Sequence, residues 1–176
     1  GGHGPPGQRR EAVNTVMSLD LVTMRYTALA PMMTPRHGHA VALLNGKLFV
    51  MGGYSEINAG GELSSVECLD LETGDWLEVA PMSRARDSLA AAALGGKIFV
   101  SGGVTTEDSV ECFDPVTGAW TALAAMNTPR QQHAMVSAHG KLYVAGGRGD
   151  RGRLKSVECF DPTTCVWKTI APLNEK

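Results

Sequence analysis

Ser109-Val110-Glu111-Cys112-Phe113-Asp114 is one of three near-copies in this chain, the others being Ser65-Val66-Glu67-Cys68-Leu69-Asp70 and Ser156-Val157-Glu158-Cys159-Phe160-Asp161. Residues 15–20 keep the same register in looser form. Ahead of each copy stands a Gly-Gly pair, at 1–2, 52–53, 102–103 and 146–147, in steps of 51, 50 and 44 residues. Six residues after each aspartate comes a large aromatic, Tyr26, Trp76, Trp120 or Trp167. Shortly after it follow Ala30-Pro31-Met32, Ala80-Pro81-Met82, Ala124-Ala125-Met126 and Ala171-Pro172-Leu173. Self-similarity at a period near 50 marks an array of supersecondary units that bury their apolar faces against one another.

Each complete unit reads as four short β-rich runs. In the second, residues 39–44 meet Lys47-Leu48-Phe49-Val50-Met51 across Asn45-Gly46, a dipeptide that accepts the positive φ angles of a two-residue hairpin. Gly95-Gly96 and His139-Gly140 occupy the same turn in the next two units. The third run spans 66–71, and Glu72-Thr73-Gly74-Asp75 turns it into a fourth that starts at Trp76 and ends before Pro81. Four antiparallel strands make a blade, and near-continuous apolar runs such as 89–94 are expected where blades stack face to face.

Double glycine, an Asp-containing strand and then Trp resembles the kelch repeat. The Ser-Val-Glu-Cys-Phe-Asp-Pro wording at 109–115 is similar to the kelch-like substrate receptors of cullin-RING ubiquitin ligases. The resemblance covers nearly the whole chain and implies an all-β, kelch-type β-propeller, here partial, with about 3.5 four-stranded antiparallel blades. Residues 1–32 form a half blade, 33–82, 83–126 and 127–173 a blade each, and 174–176 begin the next connection. Propellers close with roughly 4–8 blades. A start without Met, in mid-repeat, therefore leads us to expect further blades in the natural protein, six in all by analogy with those receptors.

Composition narrows the function. Gly supplies 21 of 176 residues, which favours tight turns over long helices, and 43% hydrophobic content is enough for a core. A net charge of −2 and a pI near 6.2 argue against nucleic acid or an anionic membrane as the main partner. No apolar run is long enough to span a bilayer, and residues 1–6 lack the order of a signal peptide. Cys68, Cys112, Cys159 and Cys165 show no paired CxxC spacing, which fits a reducing cytosol and a cytoplasmic protein. The first three share a repeat position and read as packing residues between blades rather than redox sensors; Cys165 replaces the turn glycine of 74 and 118 and reads as an exposed thiol. No metal and no cofactor is expected: His37 and His39 are a weak ligand pair, and His39 and His133 share a repeat position that reads as structural. The three Trp residues and the double glycines read as scaffold.

Strand order decides where a partner can sit. The first and third turns of each blade fall at one end and are short. The second turn and the crossover between blades fall at the other, and there the loops are long and varied: 3–11, 54–63, 104–107 and 148–155, with crossovers 33–38, 83–88 and 127–132. Candidate partner-binding residues at that end are Arg36, His37, Tyr54, Arg86, Asp87, Arg130, Gln131, Arg148, Arg151 and Arg153. Arg36, Arg86 and Arg130 each precede a hairpin lysine by eleven positions, so equivalent blades are expected to present arginine around the rim and to favour an acidic peptide. The competing reading is that they tie the crossovers to nearby backbone carbonyls.

A protein or peptide binder follows, and the resemblance implies the substrate-recognition part of a ubiquitin ligase adaptor, with cullin engaged only through domains outside this chain. Kelch repeats also serve as cytoskeletal, actin-associated scaffolds. A third role, the sugar-modifying kelch enzyme, needs a cluster of ligands or acid and base groups. Here Tyr54, Glu56, Asp87 and Asp150 are scattered, so no enzyme is expected.

Overall fold

A computed structural model of the chain describes residues 12–57 and 61–174; the expected loop at 3–11 and the first Gly-Gly pair lie outside them. A two-stranded sheet of β1 (Val16–Leu19) and β2 (Tyr26–Leu29) comes first. The second blade holds β3 (Ala40–Leu44), β4 (Lys47–Met51), β7 (Val66–Asp70) and β8 (Trp76–Val79), in that order. Its second loop carries a ribbon, β5 (Tyr54–Ser55) with β6 (Gly61–Glu62). The third blade is β9 (Ala90–Leu94), β10 (Lys97–Ser101), β11 (Val110–Asp114) and β12 (Ala119–Leu123). The fourth is β13 (Ala134–Ala138), β14 (Lys141–Ala145), β17 (Val157–Asp161) and β18 (Val166–Ile170), with a ribbon of β15 (Arg148–Gly149) and β16 (Gly152–Arg153). Every blade pairing is antiparallel, so each unit is a meander as expected.

Asn45 and His139 take φ of 51° and 49°, and the glycines after them 73°, which is the backbone that a right-twisted two-residue hairpin requires. At the same end the third turn is fixed by aspartate: Asp70 Oδ1 accepts the N–H groups of Glu72 and Thr73, while its Oδ2 pairs with Lys47 on the adjacent strand. Asp114 with Lys97 and Asp161 with Lys141 repeat that pair. The Leu71 amide donates to the Gly46 carbonyl at 3.1 Å, tying first and third turns together.

The core lies in the seams between blades. Period-two alternation sends Ala40, Ala42, Phe49, Met51, Val66 and Cys68 forward against Leu89, Ile98, Val100 and Phe113 of the third blade. One repeat later, Ala90, Ala92, Phe99, Val110 and Cys112 pack on Met135, Leu142, Val144, Phe160 and Trp167. Each seam is also hydrogen-bonded. The indole N–H groups of Trp76, Trp120 and Trp167 donate to the carbonyls of Ala30, Ala80 and Ala124 of the preceding unit at 2.8–2.9 Å. The second glycine of each pair reaches across too, Gly53 N–H to the Arg86 carbonyl at 2.8 Å and Gly103 N–H to that of Arg130 at 3.3 Å. The first explains why glycine is needed. A Cβ at Gly52 would stand 2.5 Å from the Arg86 carbonyl oxygen, and one at Gly102 2.2 Å from that of Arg130.

Candidate functional site

Arg36, Arg86 and Arg130 are not displayed at the rim, and the expectation that they present charge to a partner is corrected: all three are fully buried. Arg86 Nη2 donates to Glu111 at 2.8 Å, and its Nη1 to the carbonyls of Gly102 and Ser109 at 2.8 and 3.2 Å. Arg130 makes the equivalent bonds to Glu158, Gly146 and Ser156, and Arg36 to Glu67, Gly52 and Ser65. Each glutamate also accepts backbone N–H groups from the start of the crossover, Met33 and Thr34 on Glu67, Ser83 on Glu111, Asn127 and Thr128 on Glu158. Burial pushes the Glu111 carboxyl up, but hydrogen bonds from Arg86 and Ser83 outweigh it and hold the group below its ordinary range. The side chain is drawn inward because the interior offers a matched carboxylate and two backbone carbonyls with room for a further hydrogen bond. The sequence carried the signal, since all three repeats with the arginine also have the glutamate, at 67, 111 and 158.

The remaining candidates do gather at the second end. His37 and Tyr54 exchange backbone hydrogen bonds at 3.1 and 2.8 Å and stack their rings at 5.4 Å. Gln131 and Arg148 repeat the exchange at 2.9 and 2.8 Å, and the Asp87 carbonyl accepts from Val104 at 2.9 Å. In the second and fourth blades this bridge extends a ribbon, so crossover and loop become one small platform. The two ribbons escape sequence reading because two residues per strand hold no period to detect. Under the first lies a groove of about 460 Å³ lined by Met33, Thr34, Ser55, Ile57, Glu62 and Leu63. The corresponding groove of the fourth blade, about 210 Å³, is lined by Thr128, Pro129, Asp150, Arg151 and Leu154. Neighbouring loops also touch, Thr105 Oγ1 donating to Glu62 at 2.6 Å.

With the three ring arginines neutralised inside, charge at this end is divided by blade. The second-blade loop carries Glu56 and Glu62, and the third-blade loop Glu107 and Asp108, with exposed Arg84 in the crossover before it. The fourth-blade loop carries exposed Arg148, Arg151, Arg153 and Lys155 against a single Asp150.

The histidines sit below this surface. His133 Nε2 lies 2.8 Å from Ser101 Oγ across the seam, and burial, helped by the Arg130 charge, pushes its pKa down to about 3. His39 shifts down for the same first reason. Cys68 and Cys112 are buried and desolvation raises their thiols, which suits packing rather than reactivity, whereas Cys165 is exposed at a φ of 55° in the third turn.

Residues 1–176 match the family described as the KLHDC2/KLHL20/DRC7 Kelch-repeats domain. No curated protein matches the chain in sequence. Among solved structures it is similar to one described as Structure of YjhT, with a TM-score of 0.76 and 20% identity, over 86% of this chain and 57% of that one. That likeness speaks to the fold, and the chain spans little more than half the length of the structure it matches.

Proposed function

The chain belongs to the kelch-repeat domains, and from that premise we propose that its second-end loops hold a partner protein, as the substrate-recognition propeller of a cullin-RING ubiquitin ligase adaptor. The observation that carries the reading is the contrast between the two ends. At the first, each of the three complete blades repeats the same tight hairpin and Asp–Lys pair. At the second, His37–Tyr54 and Gln131–Arg148 are one backbone bridge, of which Asp87–Val104 keeps a single bond, and all three bear different side chains, with ribbons and grooves that differ from blade to blade. A constant scaffold under variable side chains is how recognition surfaces are built. The ligase role rests on the resemblance of the Ser-Val-Glu-Cys-Phe-Asp-Pro wording, with cullin contacted by parts of the protein outside this chain. The role is one of binding, without catalysis of its own. Four free cysteines support a cytoplasmic setting.

Recovery of partners with the full-length protein tests both levels. Replacing His37 and Tyr54 together by Ala should remove the bound partner and leave melting nearly unchanged, while a cullin should still be recovered. Partners retained by that variant but lost when the Lys97 turn is altered would overturn the assignment of the end, and absence of any cullin would overturn the ligase role. Arg86→Glu belongs to neither arm, because it should unfold the chain.

A further inference from the structure

We propose that the groove beside the β5–β6 ribbon of the second blade takes an apolar side chain of the partner protein, flanked by a Lys or Arg that Glu62 and Tyr54 receive. The inference rests on the reading of the second end as the binding end and assigns the chemistry of one part of it. Met33 and Ile57 line the groove and are 52% and 51% exposed. The repeat does not call for apolar groups there. Met33 follows the buried Met32, and Ser83 and Asn127 follow the equivalent Met82 and Met126. Counted from the bridge residues Tyr54 and Arg148, Ile57 falls where the fourth blade has Arg151. Two exposed apolar side chains at one groove, with part-buried Leu63 completing its lining, mark a contact surface rather than scattered surface groups. The lining is also held in advance. The amides of Met33 and Thr34 donate to buried Glu67 at 2.7 and 3.0 Å, and that of Ile57 to the Oγ of buried Ser55 at 3.3 Å. Little ordering of these groups is left to oppose binding.

Charge decides what flanks the apolar group. Glu62 lines the groove and is the direct cross-strand partner of Tyr54, so their side chains share a face of the ribbon, about 5 Å apart at Cβ. An ammonium or guanidinium set there meets a carboxylate and an aromatic ring together. Among the described residues neither Glu56 nor Glu62 makes an ion pair, whereas Glu67, Glu111 and Glu158 of the scaffold each have an arginine. Glu62 accepts the Thr105 hydroxyl at 2.6 Å, which orients its carboxylate and leaves its charge uncompensated. Across the neighbouring loop Glu107 and Asp108 stand against the exposed Arg84, so the surroundings favour a cationic segment and oppose an anionic one. The preference belongs to this blade, since Arg153 holds the place of Glu62 in the fourth.

The probe is a fluorescein-labelled peptide with one Leu between two Lys in a Gly-Ser frame, read by fluorescence anisotropy with the full-length protein. Two comparison peptides put Glu for each Lys, or Ser for the Leu. The Lys-Leu-Lys peptide should bind saturably and the other two at least roughly tenfold more weakly. Glu62→Gln, which keeps an acceptor for Thr105, and Ile57→Ser should each weaken binding roughly fivefold with melting unchanged. Glu62→Arg, which installs the fourth blade's residue, should turn the preference toward the Glu-Leu-Glu peptide. Arg148→Ser, on the fourth blade, should leave binding intact. Binding unchanged when Glu62→Gln and Ile57→Ser are combined, or tighter binding of the Glu-Leu-Glu peptide by the parent, overturns the proposal. A natural partner lost on replacing His37 and Tyr54 but still held by that combined variant would sink this inference and leave the protein-binding reading standing.

Discussion

Arg86 carries its charge in the interior, where an unpaired ion would cost several kcal/mol, and it remains there only because Glu111 and two carbonyls meet it. Breaking such a buried pair from one side typically costs about 3–5 kcal/mol, enough to dominate the stability of a small array. Spacing alone showed that three arginines share a position; it could not show which way they point, because direction is set by the carboxylate waiting in the third strand. His133 makes the same point with a neutral group. In the seam before it, Met51 faces Leu89, and in its own seam Ser101 faces His133, so apolar is matched with apolar and polar with polar. With its native pKa near 3 and a solution value of 6.5, this imidazole stays neutral in the folded chain while the unfolded chain takes up a proton. Its contribution is therefore intact above pH 6.5 and is lost as pH falls toward 3. By about pH 4.5 the loss from this group should be roughly 2–3 kcal/mol. Denaturant midpoints measured across that range should slope downward in the parent and much less in Ser101→Met with His133→Leu, which transplants the other seam's pair. An unchanged slope in the double variant would assign the proton to another group.

Among elements, the double glycine separates two uses of one residue. Gly102 at φ of 64° sits against the neighbouring blade, its missing Cβ 2.2 Å from one carbonyl oxygen and 2.7 Å from the His133 ring. Gly140, at φ of 73°, has open space around it. Gly140→Ala should therefore cost only the backbone term, about 1 kcal/mol. Gly102→Ala must also push two blades apart and should cost at least roughly 3 kcal/mol. Chemical denaturation of the two variants compares them directly, and similar costs would mean that the glycines serve turns alone. The blade strands were legible within a residue or so because each has a hairpin turn or an aspartate cap written at its end. The ribbons were not, because β5 and β15 are held by backbone bonds from His37 and Gln131, segments distant in sequence and unmarked by any pattern. The second end thus follows from strand order, while its surface is shaped by backbone bonds that no local pattern encodes.

At the scale of the whole chain, the arc presents two faces that its own repeats show to be seam faces. Ala134, Val136, Tyr143, Ala145, Val157 and Cys159 occupy the positions at which Ala90, Ala92, Phe99, Ser101, Val110 and Cys112 line the preceding seam. Val136 is 56% exposed, and Leu173 44%, where Met32, Met82 and Met126 of the earlier units are 3–4% exposed. At the other end of the arc Val41 and Leu43 are half exposed or more. Both faces leave in water apolar residues that the other repeats bury, so this chain alone is expected to associate as its concentration rises from about 1 to about 100 µM. Static light scattering would show it, and Val136→Lys with Leu173→Lys should suppress it; a parent that stays monomeric throughout would mean the seam faces are not sticky. The second-end platform of His37 and Tyr54 lies on the second blade, apart from Val136 and Leu173. Association and recognition should therefore separate cleanly. Val136→Lys should suppress the scattering while His37→Ala with Tyr54→Ala, on a different blade and at the loop end, should leave it unchanged.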